Sequence, residues 1–572
     1  MSFSPTRSGG LGLVWFTLRR LLDWLDPQRP CPPCPPERTT ISFVPGQLCL
    51  LAEYPAGARL DPAAIVRQVR DGLAQRELLN EDLILPAERV VVLRGRTRTL
   101  ATLFGDMPAA QKDPERLLRF VTQINKTLAD SRPPYEQGKP YDPDQQTADT
   151  AALGALSEQP AQPAPWLRFA TPNWLTGGAP KNMGGGGPGA WPIPATPAAG
   201  TPWQLNVTMP PIPSPAPEQP VTIALLDTAP PEAAFTYAYD AWVGSESQPP
   251  TSARNELLAS LIAPSGTLDL SGAGRLQVTR TGLVGGPDAS FTDHDYEMSD
   301  HGLFVAGLIH SLAPPSAKLH LIEVLNNYGL GTIESIAHGF QVLLDSRTPT
   351  SGPLVVNCSL VINIPQPDVE AITNQAADAP DVQSLSPELV EQMSLLPAEI
   401  FDLVAQLAPQ QNVAIVAAAG NDGGAGRHPM ARFPAAYDGI VGVGALNSAG
   451  VSADYTNQAD DPPVDGFATF GGDIIASTAP GTPDMTDATG GVLGLYIGKL
   501  PTATGWTQSS TGWARWAGTS FAAPIIGGVI AQRLGLGETI SQALAAVESV
   551  STPMSPTGPT IQVGDTFSVT QG

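Results

Sequence analysis

From residue 221 onward, short apolar runs alternate with helical patterns. VTIALLD (221–227), KLHLIEVL (318–325), PLVVNCSL (353–360), VAIVAAAGN (413–421) and GIVGVGAL (439–446) are continuous apolar runs that close on turn residues. Between them lie HGLFVAGLIHSL (301–312), IESIAHGFQVLLDS (333–346) and PELVEQMSLLPAEIFDLVAQLA (387–408), which carry helical spacing. Strands apolar on both faces, separated by helices, predict an α/β fold: a parallel sheet with helices on both faces and right-handed crossovers. Residues 221–550 form this predicted domain, with 551–572 as a tail. The stretches 229–295, 364–386 and 482–512 are polar or rich in Gly and Pro and read as surface insertions.

The first 220 residues have a different texture. Residues 40–130 mix short apolar runs (ISFVPGQLCLLAEY, RVVVL) with helix-like pieces and predict a small α+β domain of regulatory or propeptide-like character. Residues 131–220 hold 20 Pro and 10 Gly, a third of the window, and read as a linker. Two islands, PWLRF at Trp166 and PNWL at Trp174, interrupt it as candidate docking segments. Residues 1–39 read as an amphipathic helix, LGLVWFTLRRLLDWL at 11–25, and a tether. That helix either contacts a partner or membrane surface or packs on its own protein. Its arginines follow the apolar run and no small-residue cleavage site comes next, so it is not read as a signal peptide.

The 572 residues suffice for several domains with ordinary cores. No run of about 18 apolar residues predicts a membrane span. Four cysteines exclude a disulfide scaffold, and the Cys31–Cys34 pair has neither a second pair nor a βαβ context. Together these features point to a reducing, cytoplasmic setting. Net charge is −23, split as about +1 over residues 1–220 and about −24 over the rest. Such a surface repels phosphate backbones, which argues against a nucleic-acid partner.

Ligands in open parallel sheets bind at the carboxyl ends of strands. Asp227, Asn421 and Ser359 each end an apolar run there. Ser299-Asp300 is a candidate N-cap for a helix opened by His301, apolar nearly all round and therefore buried. Gly518-Thr519-Ser520 opens a second apolar helix, with Pro524 expected in its first turn. Ser520 at a helix N-terminus meets free N–H groups that favour developing negative charge. An Asp, a His, a Ser and an Asn so placed predict a nucleophilic hydrolase. His301 takes the Ser520 proton, Asp227 fixes the imidazole, and the Asn421 amide with the Ser520 N–H holds the oxyanion. Ala418, Ala419 and Gly420 leave space beside the oxyanion hole, as a wall of the primary specificity pocket.

The pieces ALLDTA, DHGLFVAGLI, VVNCSL, VAAAGNDG and AGTSFAAPIIGG, in that order, resemble the subtilisin-like serine proteases, over about residues 221–535. RFPAAYDGIVGVGALNSAG (432–450) and APG (479–481) resemble further family stretches. The resemblance implies an endopeptidase acting on protein or peptide substrates, with no cofactor needed for the chemistry. Its departures are Ala229 where Gly is expected after Asp-Thr, Leu303 and Phe304 within HGLFVAG, and Val361 where Gly is expected after Ser359 and Leu360. In the family that strand edge pairs with substrate backbone, so Val361 narrows or reshapes the groove. The 74-residue spacing from Asp227 to His301 implies an insertion beside the site.

Asp293, Asp295, Glu297 and Asp300 form an acidic cluster before His301, read as a solvated loop, with a structural calcium site as the alternative that the resemblance brings. The N-terminal region stands as an inhibitory propiece, an adaptor for an upstream regulatory partner through residues 1–200, or a recogniser of one dedicated substrate. A peptide-binding pseudoprotease and an esterase or peptide-tailoring hydrolase are the competing functions.

Overall fold

The computed structural model describes residues 43–129, 165–177, 190–196, 203–208, 219–282, 297–348, 351–364, 387–406, 413–459, 466–476, 484–552 and 559–567, apart from a few positions inside them, with the short pieces 14–15 and 384–385. Within the expected helix 11–25, only Val14–Trp15 is described, as a two-residue strand paired with Ser384–Leu385. Cys31, Cys34, Asp293, Asp295 and the APG at 479–481 lie outside the described residues. No helix among those described is long and apolar enough to cross a membrane.

The N-terminal elements are β1 (Phe43–Pro55), α1 (Pro62–Ala74), β2 (Val90–Arg94), β3 (Arg98–Asp106), α2 (Pro114–Ala129) and β4 (Trp166–Gly177). The four strands pair antiparallel in the order β4-β1-β3-β2. Asp61 caps α1 through its side chain, and Pro62 opens it at the position where a missing N–H costs nothing. Ile65, Val69 and Leu73, at helical spacing, form its buried stripe. The island residues Trp166 and Trp174, read from sequence as part of a linker, thus lie on a twelve-residue strand of this sheet. The surrounding Pro and Gly content hid that strand. Trp174 is fully buried, meets Phe43 edge-on, and donates its indole N–H to Thr171.

Two further pieces of the expected linker also pair. β5 (Ile193–Pro194) and β6 (Trp203–Val207) are followed by the main sheet, whose first strand is β7 (Thr222–Asp227). The insertion after it forms α3 (Glu232–Ala238), α4 (Glu256–Ile262) and β8 (Leu276–Arg280). Then come α5 (His301–Leu312), β9 (Lys318–Glu323), β10 (Leu330–Thr332), α6 (Ile333–Asp345), β11 (Leu354–Cys358), β12 (Val361–Ile362) and α7 (Pro387–Gln406). The chain continues through β13 (Val413–Ala418), β14 (Val441–Leu446), β15 (Phe467–Phe470), β16 (Val492–Leu495), the hairpin β17 (Lys499–Thr502) and β18 (Gly505–Gln508), and β19 (Trp513–Trp516). It closes with α8 (Thr519–Gly535), α9 (Ile540–Ser549) and β20 (Val563–Phe567).

The main sheet runs β15-β14-β13-β11-β7-β9-β8, with every pairing parallel. Its strands β7, β11, β13 and β14 are buried on both faces, as continuous apolar runs require. α8 is buried along almost its whole length, so its N-terminus is fixed in the core. β5 pairs with β19, and β6 with β20, which ties residues 190–207 to this domain.

Candidate active site

β7 carries Asp227 to the carboxyl rim of the sheet. Helix α5 brings His301 to it, and His301 Nδ1 donates to Asp227 Oδ1 at 2.7 Å, with both side chains buried. The approach depends on Gly302, where a Cβ would stand 2.1 Å from the Thr228 carbonyl oxygen. Thr228 Oγ1 donates to the carbonyls of Met298 and Ser299 and accepts the Gly302 N–H, so it clasps the start of α5. The sequence signal for Thr228 is a polar residue directly after the strand-end aspartate, and it was not singled out.

Ser520 occupies the second position of α8, between the Thr519 N–H, taken by Asn421 Oδ1, and the Phe521 N–H, which donates to the Gly518 carbonyl. Its Oγ donates to the Ser359 carbonyl at 3.3 Å, and no hydrogen bond joins it to His301 Nε2, a buried nitrogen without a partner. Pro524 falls in the second turn of α8, not the first. Its missing N–H would have paired with the Ser520 carbonyl, four residues back. The Ser359 hydroxyl donates to that carbonyl instead, at 2.7 Å, and its own oxygen accepts from Asn357 at 2.9 Å. Ser359 therefore compensates for a proline inside a buried helix and turns its carbonyl towards Ser520.

Asn421 follows β13 by three residues. Its Oδ1 accepts the N–H of Thr519 at 2.9 Å and the Thr519 hydroxyl at 3.0 Å, which orients the amide beside the helix N-terminus. Ala418 and Ala419 are buried, each in a different apolar core, and the Gly420 N–H donates to Thr519 Oγ1. Behind them Arg432 forms a buried two-point ion pair with Asp422, and Asn457 donates to the same carboxylate. Arg432, Asp422, Asn457 and Thr519 were missed, because their partners lie 10 to 98 positions away.

His301 also meets the edge of the Trp516 ring, at a centroid distance of 5.4 Å, and tilts against Phe521 at 5.3 Å. Asp300 stands at the N-cap of α5, but its side chain makes no cap bond. Its Oδ1 accepts the N–H groups of Ile497 and Gly498 instead, and Oδ2 accepts from Ser299. Burial pushes its pKa up to about 6, against the lowering effect of those bonds. Of the acidic cluster, Asp300 thus spends its carboxylate on the protein's own amides. No group of three metal-ligating side chains occurs among the described residues.

The edge beyond Ser359 and Leu360 is already paired. Val361 and Ile362 of β12 face Gly177 and Thr176 of β4, and Leu330–Thr332 of β10 face Gly177, Thr176 and Leu175 from the other side. Both pairings are antiparallel. The end of β4 is therefore a central strand between two edges of the region that carries the main sheet. Asp227, His301, Asn421 and Ser520 are at most 1% exposed.

Residues 284–543 match the family model for the subtilase family (Peptidase S8). Over this region, less than half of the chain, the protein is similar to the subtilisin-like serine proteases. It is 26% identical over 236 residues to subtilisin DY of Bacillus licheniformis, covering 38% of this chain and 72% of that protein. It is 25% identical over 252 residues to a thermostable alkaline protease of Halalkalibacterium halodurans, covering 40% of this chain and 58% of that relative. The structure of the patellamide maturation protease PatA aligns with 59% of this chain and 89% of its own, at 18% identity and a TM-score of 0.31. The family match begins after Asp227, on the far side of the insertion formed by α3, α4 and β8.

Proposed function

We propose that the chain is a serine endopeptidase whose cleft is held by its own N-terminal module. The observation that carries the chemical reading is the buried 2.7 Å contact between His301 and Asp227, 74 positions apart, beside a helix that carries Ser520 in its first turn. Asp227 holds Nδ1 protonated, which leaves Nε2 as the base. Ser520 Oγ leaves the Ser359 carbonyl, passes its proton to Nε2 and attacks the peptide carbonyl carbon. The oxyanion is held by the Asn421 amide and the Ser520 backbone N–H. The imidazolium then gives its proton to the leaving amine, and water repeats the sequence on the acyl-enzyme. No step passes through a metal. Ala418, Ala419 and Gly420, with the edge Ser359, Leu360 and Val361, supply the substrate-facing wall.

Support for self-inhibition comes from the seat of Leu175–Gly177. The strand ends at Gly177 opposite Val361, two residues from Ser359, whose carbonyl accepts from Ser520 Oγ. The module is also clamped by ion pairs that cross to α6 and α7. Arg89 reaches Glu334, and Arg98 and Arg168 reach Glu399. Cleavage between Gly177 and Ala190 would free the module and leave β5 and β6 on the protease region.

The test is covalent labelling by a fluorophosphonate, together with hydrolysis of a peptide amide, before and after such cleavage. Labelling that rises on cleavage and vanishes in Ser520→Ala is expected. A well-folded, cleaved protein that takes no label would favour the peptide-binding pseudoprotease, a reading supported by the absent Ser520–His301 bond.

A further inference from the structure

The acidic residue directly before His301 does work that neither the capping nor the calcium reading assigned to it. Asp300 Oδ1 receives two backbone N–H groups, from Ile497 at 2.8 Å and Gly498 at 2.9 Å. These residues form the turn between β16 and the β17–β18 hairpin. The far side of the turn is closed by Ser509, whose N–H donates to the Gly498 carbonyl, and by Gln508, whose amide donates to the carbonyls of Ile497 and Gly498. The fit is tight: a Cβ at Gly498 would stand 2.2 Å from Asp300 Oδ2.

The turn is connected at both ends to the site. β16 pairs antiparallel with β19, Val492 opposite Trp516 and Leu495 opposite Trp513. Trp516 packs its ring edge on His301, and β19 runs into Gly518-Thr519-Ser520. The base and the nucleophile sit on helices remote in sequence. The bonds from Asp300 to residues 497 and 498 join the start of the base's helix to the ribbon that delivers the nucleophile.

We propose that Asp300 is a positioning residue: by latching the 497–498 turn to the start of α5 it sets the distance between the His301 imidazole and Ser520. This inference rests on the endopeptidase reading above. The latch needs an acceptor oxygen, not a charge. An asparagine offers the same Oδ1 to both amides and can donate its NH2 to Ser299. An alanine leaves two buried N–H groups without a partner.

The experiment is steady-state hydrolysis of a peptide amide by the cleaved protein, with hydrogen exchange at residues 496–499 in the full chain. In Asp300→Ala, kcat is expected to fall by roughly 10- to 100-fold, the scale of a displacement near 1 Å, with KM within about threefold. Gly498→Ala breaks the same contact from the other side and should show the same pattern. Asp300→Asn should keep at least about a third of wild-type kcat. Exchange at 497 and 498 should be slow in wild type and Asp300→Asn and fast in Asp300→Ala. The proposal is overturned if Asp300→Ala keeps wild-type kcat, if Asp300→Asn loses as much as Asp300→Ala, or if the wild-type amides exchange freely. The last result needs no variant to fold and no activity. A wild type that neither hydrolyses peptide nor takes a fluorophosphonate fails a different claim, the endopeptidase reading, and is recognised as such by that labelling.

Discussion

Replacing Arg89 should open the cleft. Its guanidinium, on the turn before β2, donates to both carboxylate oxygens of Glu334 on α6, with Nε–Oε1 at 2.7 Å and Nη2–Oε2 at 2.5 Å, and to Asp106 at 2.9 Å. Glu334 is 8% exposed and belongs to the protease region, while Arg89 and Asp106 belong to the module. Removing one member of a buried ion pair costs about 3–5 kcal/mol, because the remaining charge is stranded. The Arg89 side chain keeps 19% of its exposure, so solvent relieves part of this, and about 2–3 kcal/mol is the working figure. The cost falls on the docked state alone, since Glu334 regains water when the module leaves. At 1.4 kcal/mol per tenfold, the open population rises roughly 30- to 140-fold. Fluorophosphonate labelling of the intact chain follows that population and should accelerate by the same factor. Arg89→Ala with Glu334→Ala removes the stranded carboxylate and should open the cleft less than the two single changes summed. A labelling rate within twofold of wild type in Arg89→Ala, with the chain folded and uncut, would refute the idea that the docked module gates Ser520.

Further outcomes test the seat and the site. Thr176→Val should slow labelling of the intact chain about tenfold, because the Thr176 hydroxyl is buried without a partner in the cleft and valine keeps its shape. Asn421→Leu should lower kcat about 100- to 1,000-fold with little change in KM, a range measured for the equivalent asparagine of a subtilisin and borrowed from it. The fold should lose stability on acidification below about pH 6.5, read as a falling Tm. Burial holds His310 at about 3 and His320 and His338 at about 4, with Arg275 adding to the effect at His310 and Arg89 at His338. The unfolded chain then binds protons that the native chain refuses, so stability drops as pH falls from 6.5 towards 4. Asp300, raised to about 6, acts in the opposite direction over a similar interval, and Tm in its asparagine variant should be higher relative to wild type at pH 8 than at pH 4.

The residues alone determined the strands β7, β9, β11, β13 and β14 and the helices α5, α6, α7 and α8, whereas β8 and α4, within 229–295, and the buried β16, within 482–512, lie in stretches that read as surface insertions. An apolar run buried on both faces in a parallel sheet has few other structures open to it, and the runs ending at Asp227, Ser359 and Asn421 place polar groups on one rim. Helix starts at His301 and at Thr519, one residue before Ser520, were legible for the same reason. What the chain's pattern could not reveal is pairing between distant segments. Trp166–Gly177 reads as proline-rich linker because local composition carries no information about edges left open by β10 and β12 some 150 to 190 positions later. Asp300 reads as a cap or a cation ligand, yet it bonds to amides almost 200 positions away. Pro524 looks tolerable only in a first turn until Ser359, 161 positions from Ser520, is seen to take the orphaned carbonyl. Local sequence sets periodicity and backbone preference, whereas the partner of a buried hydrogen-bonding group is chosen by the three-dimensional approach of segments, and only the tertiary structure supplies that.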